Sequence, residues 1–359
     1  MPTETPKDAP KDSVDEFIQR RKKATINDVA RLARVSKKTV SRVINKSPSV
    51  RAETRDSVNA IIERIGFRPD PQARGLAFRR AFLIGLIYDN PNAQYIVNMQ
   101  MGALDALRGS GTELVVHPCD RRSDRFIEDI RDFIELQRLA GVIILPPISE
   151  DKRLLALLEE LDVDYVRVSA VQPDSASRGL RAGHAVLSKE RIGCRAAGEH
   201  LAGLGHTQIG FIAGPEGYVS AIERRAGFRE GLQAHGLDID WELEAQGAYT
   251  FESGHAAALK ILNRPNRPTA LFACNDEMAI GAYKAAFELG LRIPADLSIC
   301  GYDDSPMALR VSPPLTTVNL PSRDMAKAAA MTLLTEADDR KDAIIFESAL
   351  VIRESTSQV

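Results

Sequence analysis

Lys37, Lys38, Ser41 and Arg42 are spaced so that one face of a short helix carries three cations and a hydroxyl. Ammonium and guanidinium groups at that spacing donate to phosphate oxygens, and in a major groove they reach the acceptor edges of bases. A second set of chemistry-bearing residues is strung through the chain at the ends of apolar runs: Asp89, Asn90, Ser220, Arg224, Tyr249, Asn275 and Asp303, with Arg167 inside such a run. Carboxylates, amides and a guanidinium together can share the hydroxyls of a sugar, donor with acceptor, while an aromatic ring covers the C–H side. Three of these, Asp303, Asn275 and Arg224, come from separate run ends that converge, and are expected to face a ligand. Asp276, Asp304 and Ser220 stand where helix caps are expected.

The first set requires a small helical scaffold. Val29, Ala30, Leu32 and Ala33 form the apolar face of one helix, and Val40, Val43 and Ile44 that of the next. Thr25, with Asp28 three residues on, predicts a capping box for the first helix, and Ser36 a cap for the second. A third helix over residues 51–65 places Val58, Ile61, Ile62 and Ile65 on one side and stops at Gly66, which suits a left-handed cap. This is the pattern of a helix-turn-helix whose second helix enters the major groove. Residues 21–80 contain 16 Lys/Arg against 5 Asp/Glu, a net +11, whereas the whole chain carries −2. A basic head therefore precedes an acidic body that should keep off DNA. Residues 1–23 have no apolar periodicity and read as a mobile tail. Pro69 and Pro71 introduce a two-turn helix over residues 72–77, too short to be stable alone in water. It is expected to fold only on DNA, beside a twin, with Leu76 as a minor-groove wedge.

The second set requires a larger frame. Short apolar runs at 82–87, 114–117, 142–145 and 165–168 alternate with helical patterns, and a second series follows at 209–213, 270–273, 298–301 and 316–319. Near-continuous apolar strands alternating with helices imply parallel sheets covered on both faces, here in two doubly wound subdomains. Such sheets bind ligands beyond the carboxyl ends of their strands. At 359 residues and 44% hydrophobic, the chain can bury a core of that size. No apolar run approaches the roughly 18 residues of a membrane span, no signal-peptide pattern opens the chain, and a cytoplasmic location is expected. The four cysteines are widely separated and read as reduced core thiols. The six histidines show no metal-ligand spacing; His200 and His206 flank a helix end, where capping is the expected role.

Taken together, these residues resemble the LacI/GalR family of bacterial transcriptional regulators, from about residue 24 to residue 356. The resemblance rests on Thr25–Ala30, Val35–Asn45 and Arg74–Ala77 in the head. In the body it rests on His200–His206, Arg224–Phe228, Asn275–Gly281, Gly301–Asp304 and Pro314–Val318. It implies a three-helix helix-turn-helix domain over 24–69, a hinge over 70–80 and an effector-binding, dimerising body over 81–359. That body would be periplasmic-binding-protein-like, its two subdomains joined by chain crossings near 187–190 and 317–321. It further implies a homodimer on a pseudo-palindromic double-stranded operator and a small-molecule effector, in the sugar-responsive case an inducer that releases a repressor. The base-reading positions of the family fall on Lys37, Lys38 and Arg42, and phosphate or supporting contacts on Thr25, Ser36, Thr39, Ser41 and Asn45. The hinge leucine falls on Leu76. Effector positions fall on Asp89, Tyr95, Arg167, Ser220, Arg224, Tyr249, Asn275 and Asp303. Three positions depart from the family pattern: Arg34 in the tight turn in place of Gly or Asn, the Lys37–Lys38 pair, and residues 188–191 in place of an Asp-Asn pair.

Other functions fit less well. The phosphate-binding, zinc-protease, nucleophile-elbow and dinucleotide motifs are absent from the sequence, so catalysis, cofactors and metals are not expected. A transported-sugar receptor would not need the basic head. The rival that keeps the fold uses a corepressor such as a purine or a partner protein, or acts as a dual activator and repressor.

Overall fold

The computed structural model describes residues 24–44, 50–67, 82–170, 184–335, 340 and 343–359. Contacts divide the chain into two compact units that meet in sequence between residues 80 and 81. Three expectations fall outside the described residues: the 1–23 tail, Asn45, and the 70–80 hinge with Leu76.

In the first unit, helix α1 (Ile26–Leu32) starts at Thr25, whose hydroxyl accepts from the Asp28 amide while the Asp28 carboxylate accepts from the Thr25 amide. The turn that follows places Arg34 at φ 53°, a left-handed conformation that costs a non-glycine residue about 1–2 kcal/mol. Ser36 then accepts from the Thr39 amide at the start of α2 (Lys37–Ile44). Helix α3 (Ala52–Arg64) ends at Gly66, φ 64°, and the Phe67 amide reaches back to the Ile62 carbonyl. Val29, Val40 and Val58, one from each helix, are fully buried together. That small core holds α2 with its polar side outward.

The second unit contains two parallel sheets. The first has the order β11-β5-β4-β3-β1-β2, built from β1 (Leu83–Tyr88), β2 (Glu113–Pro118), β3 (Gly141–Ile144), β4 (Asp164–Ser169), β5 (His184–Lys189) and β11 (Ala343–Glu347). Every pairing in it is parallel. Ile84, Leu86, Ile143 and Val166 meet α4 (Ala93–Leu107) and α11 (Ser322–Leu334) on one face. Ile87, Val142 and Ile144 meet α5 (Phe126–Gln137) and α6 (Lys152–Glu160) on the other. This two-sided burial is why the strands read as continuous apolar runs. The second sheet, β7-β6-β8-β9, joins β6 (Ile209–Ala213), β7 (Glu244–Gln246), β8 (Ala270–Ala273) and β9 (Ser298–Cys300), again all parallel. Helices α7 (Glu190–Gly203) and α8 (Val219–Gln233) cover one face, where Phe228 stacks on Phe272. Helices α9 (Phe251–Leu262) and α10 (Asp276–Glu288) cover the other.

The last expected strand has two sets of partners. Residues 317–319 form β10 (Thr317–Asn319), which pairs antiparallel with β12 (Ala349–Val351), while Thr316 and Asn319 also bridge in parallel to Cys300 and Asp303 at the end of the second series. The structure also adds strands outside the expected series: β7 has only three residues, and β11, although residues 343–346 are apolar, is a partly exposed edge.

The chain passes between the two sheets after β5, after β10 and again between β11 and β12. All three passages meet at Gly193. A Cβ there would collide with Val318 Cγ1 and lie 2.6 Å from Ser348 Oγ. The Ser348 hydroxyl accepts from the Gly193 amide at 3.1 Å and donates to the Lys189 carbonyl at 2.9 Å, tying the passages together. Gly193→Ala should therefore destabilise the body by about 1–3 kcal/mol through overpacking. Urea unfolding of the purified protein measures this, and an unchanged midpoint would contradict the close packing of the passages.

Candidate functional site

In the first unit α2 turns its basic residues to solvent. Lys37, Lys38 and Arg42 are exposed, whereas Val40 and Val43 lie in the core. Thr39 and Ser41 are half-buried, and Ser36 and Thr25 are exposed with their hydroxyls engaged at the helix starts. The arrangement is a preformed row of donors on a rigid helix.

In the second unit, a cavity of about 30 Å³ lies between the subdomains at the carboxyl ends of the strands. Its polar lining includes Tyr95, Ser220, Arg224, Tyr249, Asn275 and Asp303, six of the eight effector positions read from sequence. Arg224 is its centre. Nε donates to Glu190 Oε2 at 2.6 Å, and Nη1 donates to the Cys274 carbonyl and lies 3.8 Å from Asp303 Oδ1. The guanidinium sits 3.7 Å from the centre of the Tyr302 ring and 5.5 Å from that of Tyr249. Burial alone would lower the arginine's pKa, but the Glu190 carboxylate, with Tyr249, Tyr302 and Asp303 behind it, carries it well above the ordinary value. The charge is therefore permanent. Ser220 Oγ and Tyr249 Oη stand 3.4 Å apart on the same wall.

Asp303 bridges the subdomains, accepting from Asn92 Nδ2 at 2.9 Å. Burial raises its carboxyl to about 8 against the pull of Arg224, with Asp276 and Glu190 adding to the rise. Asp276 is also raised, to about 7, by burial, although Thr317 and Ser305 bond to it. Asp303 and Asp304 have φ of 116° and 53°, and Tyr249 has 62°, so left-handed backbone clusters at this site.

The structure gives several of the expected residues other partners, and the expected caps other roles. Arg167 is buried but absent from the cavity lining; its Nε donates to the Ser149 carbonyl at 2.8 Å, because it lies within β4 rather than at its end. Asp89 faces a neighbouring opening and accepts from the Arg121 amide. Asn275, expected to face ligand, caps α10 by accepting from the Met278 amide and donates to the Tyr249 carbonyl, so it shapes the wall it lines. Asp276, expected to cap, instead accepts from the Ser305 amide and the Thr317 hydroxyl. Ser220 lies inside α8 and caps nothing, and Asp304 pairs with Arg353. His200 and His206 hold the C-terminal segment through Thr356 and Ser357 rather than capping a helix. Sequence reasoning missed Asn92, Glu190 and Tyr302. Glu190 had a signal: a carboxylate directly at a chain crossing.

A basic helix-turn-helix followed by an α/β body with a polar cleft between two parallel-sheet lobes defines a class, the DNA-binding transcriptional regulators with a periplasmic-binding-protein-like body. Comparisons with known proteins agree. The family described as "Bacterial regulatory proteins, lacI family" matches residues 25–70, and "Periplasmic binding protein-like domain" matches residues 199–356. The ribose operon repressor of Haemophilus influenzae is 31% identical over 335 residues, 92% of this chain and 98% of that protein. Among solved structures, the transcriptional regulator CelR–cellobiose complex shares 31% identity with TM-score 0.69, covering 92% of this chain and 99% of that one. The lac repressor dimer bound to operator and the anti-inducer ONPF shares 29% identity with TM-score 0.78, covering 94% and 100%. The chain belongs to the lacI family of bacterial regulatory proteins.

The cleft geometry has measurable consequences for stability. Arg224→Ala leaves Glu190 as an uncompensated buried carboxylate, so it should destabilise the body by about 3–5 kcal/mol, read from denaturant unfolding. Asp303 and Asp276 hold protons in the folded state at pH values where the unfolded chain has released them, so their effect is to lower stability as pH rises from about 4 toward 8. Asp303→Asn should lessen the fall in unfolding free energy between pH 5 and pH 8 by about 1 kcal/mol or more, since a tenfold change in proton affinity on folding is worth about 1.4 kcal/mol.

Proposed function

We propose that the protein is a repressor released from its operator when a sugar effector binds the cleft around Arg224. The observation that carries this reading is the pairing, in one chain, of the exposed Lys37–Lys38–Arg42 row with a cleft of buried carboxylates, amides, guanidinium and aromatic rings. The names of relatives support it: one is a ribose operon repressor, and one solved neighbour holds cellobiose. The lac repressor neighbour is a dimer on operator DNA, and a homodimer on a pseudo-palindromic site is the assembly proposed here. In this reading residues 24–69 bind DNA, 70–80 form the hinge and 81–359 bind effector, and the protein works in the cytoplasm, where its DNA is. Catalysis has no part in it.

Lys37, Lys38 and Arg42 would read bases, and Thr25, Ser36, Thr39 and Ser41 would meet phosphates. Tyr95, Ser220, Arg224, Tyr249, Asn275 and Asp303 would hold the effector. The effector can move the DNA equilibrium only by its differential affinity for two arrangements of the body; a coupling of about 1–3 kcal/mol changes operator affinity roughly 5–150-fold. Arg42→Ala should cost about 1–3 kcal/mol at its own base step and relax preference there, as measured by competition binding against operator variants at fixed salt. Uniform weakening on all DNA would instead make Arg42 a phosphate contact. Titrating ribose, cellobiose and other sugars into the protein–operator complex tests the switch, and operator affinity indifferent to every sugar would refute it.

A further inference from the structure

The cleft's charge balance narrows what can enter it. Among the described residues that line the cavity, Arg224 is the sole cation, and Glu190 and Asp303 are the carboxylates. Arg224 is already matched: Glu190 takes its Nε at 2.6 Å, with both side chains nearly inaccessible at 7% and 5% exposure. Glu190 is itself held in place, its Oε1 accepting from the Ser188 hydroxyl at 2.8 Å. Asp303 stands 3.8 Å from the same guanidinium.

A carboxylated or phosphorylated ligand would normally dock on such an arginine through paired charge-assisted bonds. Here Nε is committed to Glu190 and Nη1 to the Cys274 carbonyl. An incoming anion would have to displace Glu190 into a buried site without a counterion, or share the guanidinium with the Glu190 carboxylate beside it. Both cost more than they return, because like charges at close range in a desolvated site repel strongly. The site resists negative charge even from its own side chain, since Asp303 holds its proton into the neutral range. A neutral polyol meets none of these penalties: its hydroxyls donate to Glu190 and Asp303 and accept from Asn92 and Asn275.

Resting on the reading of this cleft as the effector site, we propose that Glu190 sets effector charge: by neutralising Arg224 it admits uncharged effectors and turns away anionic ones. Glu190 is thus a specificity-determining residue at the mouth of α7, where the chain first crosses between the subdomains.

Calorimetry on the full-length protein with matched neutral and anionic compounds tests this. The pairs are glucose and glucuronate, galactose and galacturonate, ribose and ribose 5-phosphate, cellobiose and cellobionate, and hypoxanthine and urate. The wild type should bind a neutral member at least about tenfold more tightly than its anionic partner. Glu190→Gln, which keeps the shape and removes the charge, should shrink that ratio at least about tenfold. Ser188→Ala, a milder change that loosens Glu190, should move it in the same direction, so the test survives poor folding of the first variant. Preference of the wild type for an anionic member would overturn the proposal while leaving a sugar-responsive regulator intact. Binding confined to hypoxanthine over urate would uphold the charge rule and defeat the sugar reading. An unchanged ratio in both variants, or no response to any neutral member, would overturn the role of Glu190.

Discussion

The cleft of the body is organised around the buried positive charge of Arg224. A guanidinium taken out of water must be met by opposite charge and hydrogen-bond acceptors, or the structure would not keep it. Those that meet Arg224 arrive from separate elements: Glu190 from the start of α7, the Cys274 carbonyl from the end of β8, Asp303 from the loop after β9. Asn92, from the first subdomain, then ties Asp303 across the cleft. The left-handed backbone at Asp303 and Tyr249 fits the same account. Strain of order 1–3 kcal/mol per residue persists only where surrounding contacts over-determine the conformation, and this network supplies such contacts.

Much of the frame was legible in the sequence because its signals are local. The capping box at Thr25 and Asp28, the Ser36 cap and the apolar faces of α1 and α2 depend on neighbours three or four residues away. The strands β1, β3, β6 and β8 are buried on both faces and so read as unbroken apolar runs. Arg34 is an instructive case: its left-handed turn follows from the fold even though the residue type argues against it.

The unread parts are those decided at long range. Asn275 and Asp276 are adjacent polar residues at one helix start, and nothing local says which will cap; burial against Thr317, 41 positions later, draws Asp276 inward and leaves the cap to Asn275. Arg167 resembles a ligand residue by type, yet its place within β4 commits it to the Ser149 carbonyl. Glu190 enters the cleft only because three passages of chain converge on Gly193. The short strands β7 and β12 exist through their partners' edges and leave almost no imprint on composition.

The size of the cavity has a kinetic meaning. About 30 Å³ holds a water or two and not a sugar ring, and the Asn92–Asp303 bond latches the two lobes over it. On the proposed reading of this cleft as the effector site, capture of an effector waits for the lobes to part. Its observed rate should level off with rising concentration at the rate of parting, and its apparent affinity is reduced by the fraction of time the lobes stand apart. In that reading, sensitivity to effector is set by the strength of the Asn92–Asp303 latch as well as by the contacts made to the ligand itself.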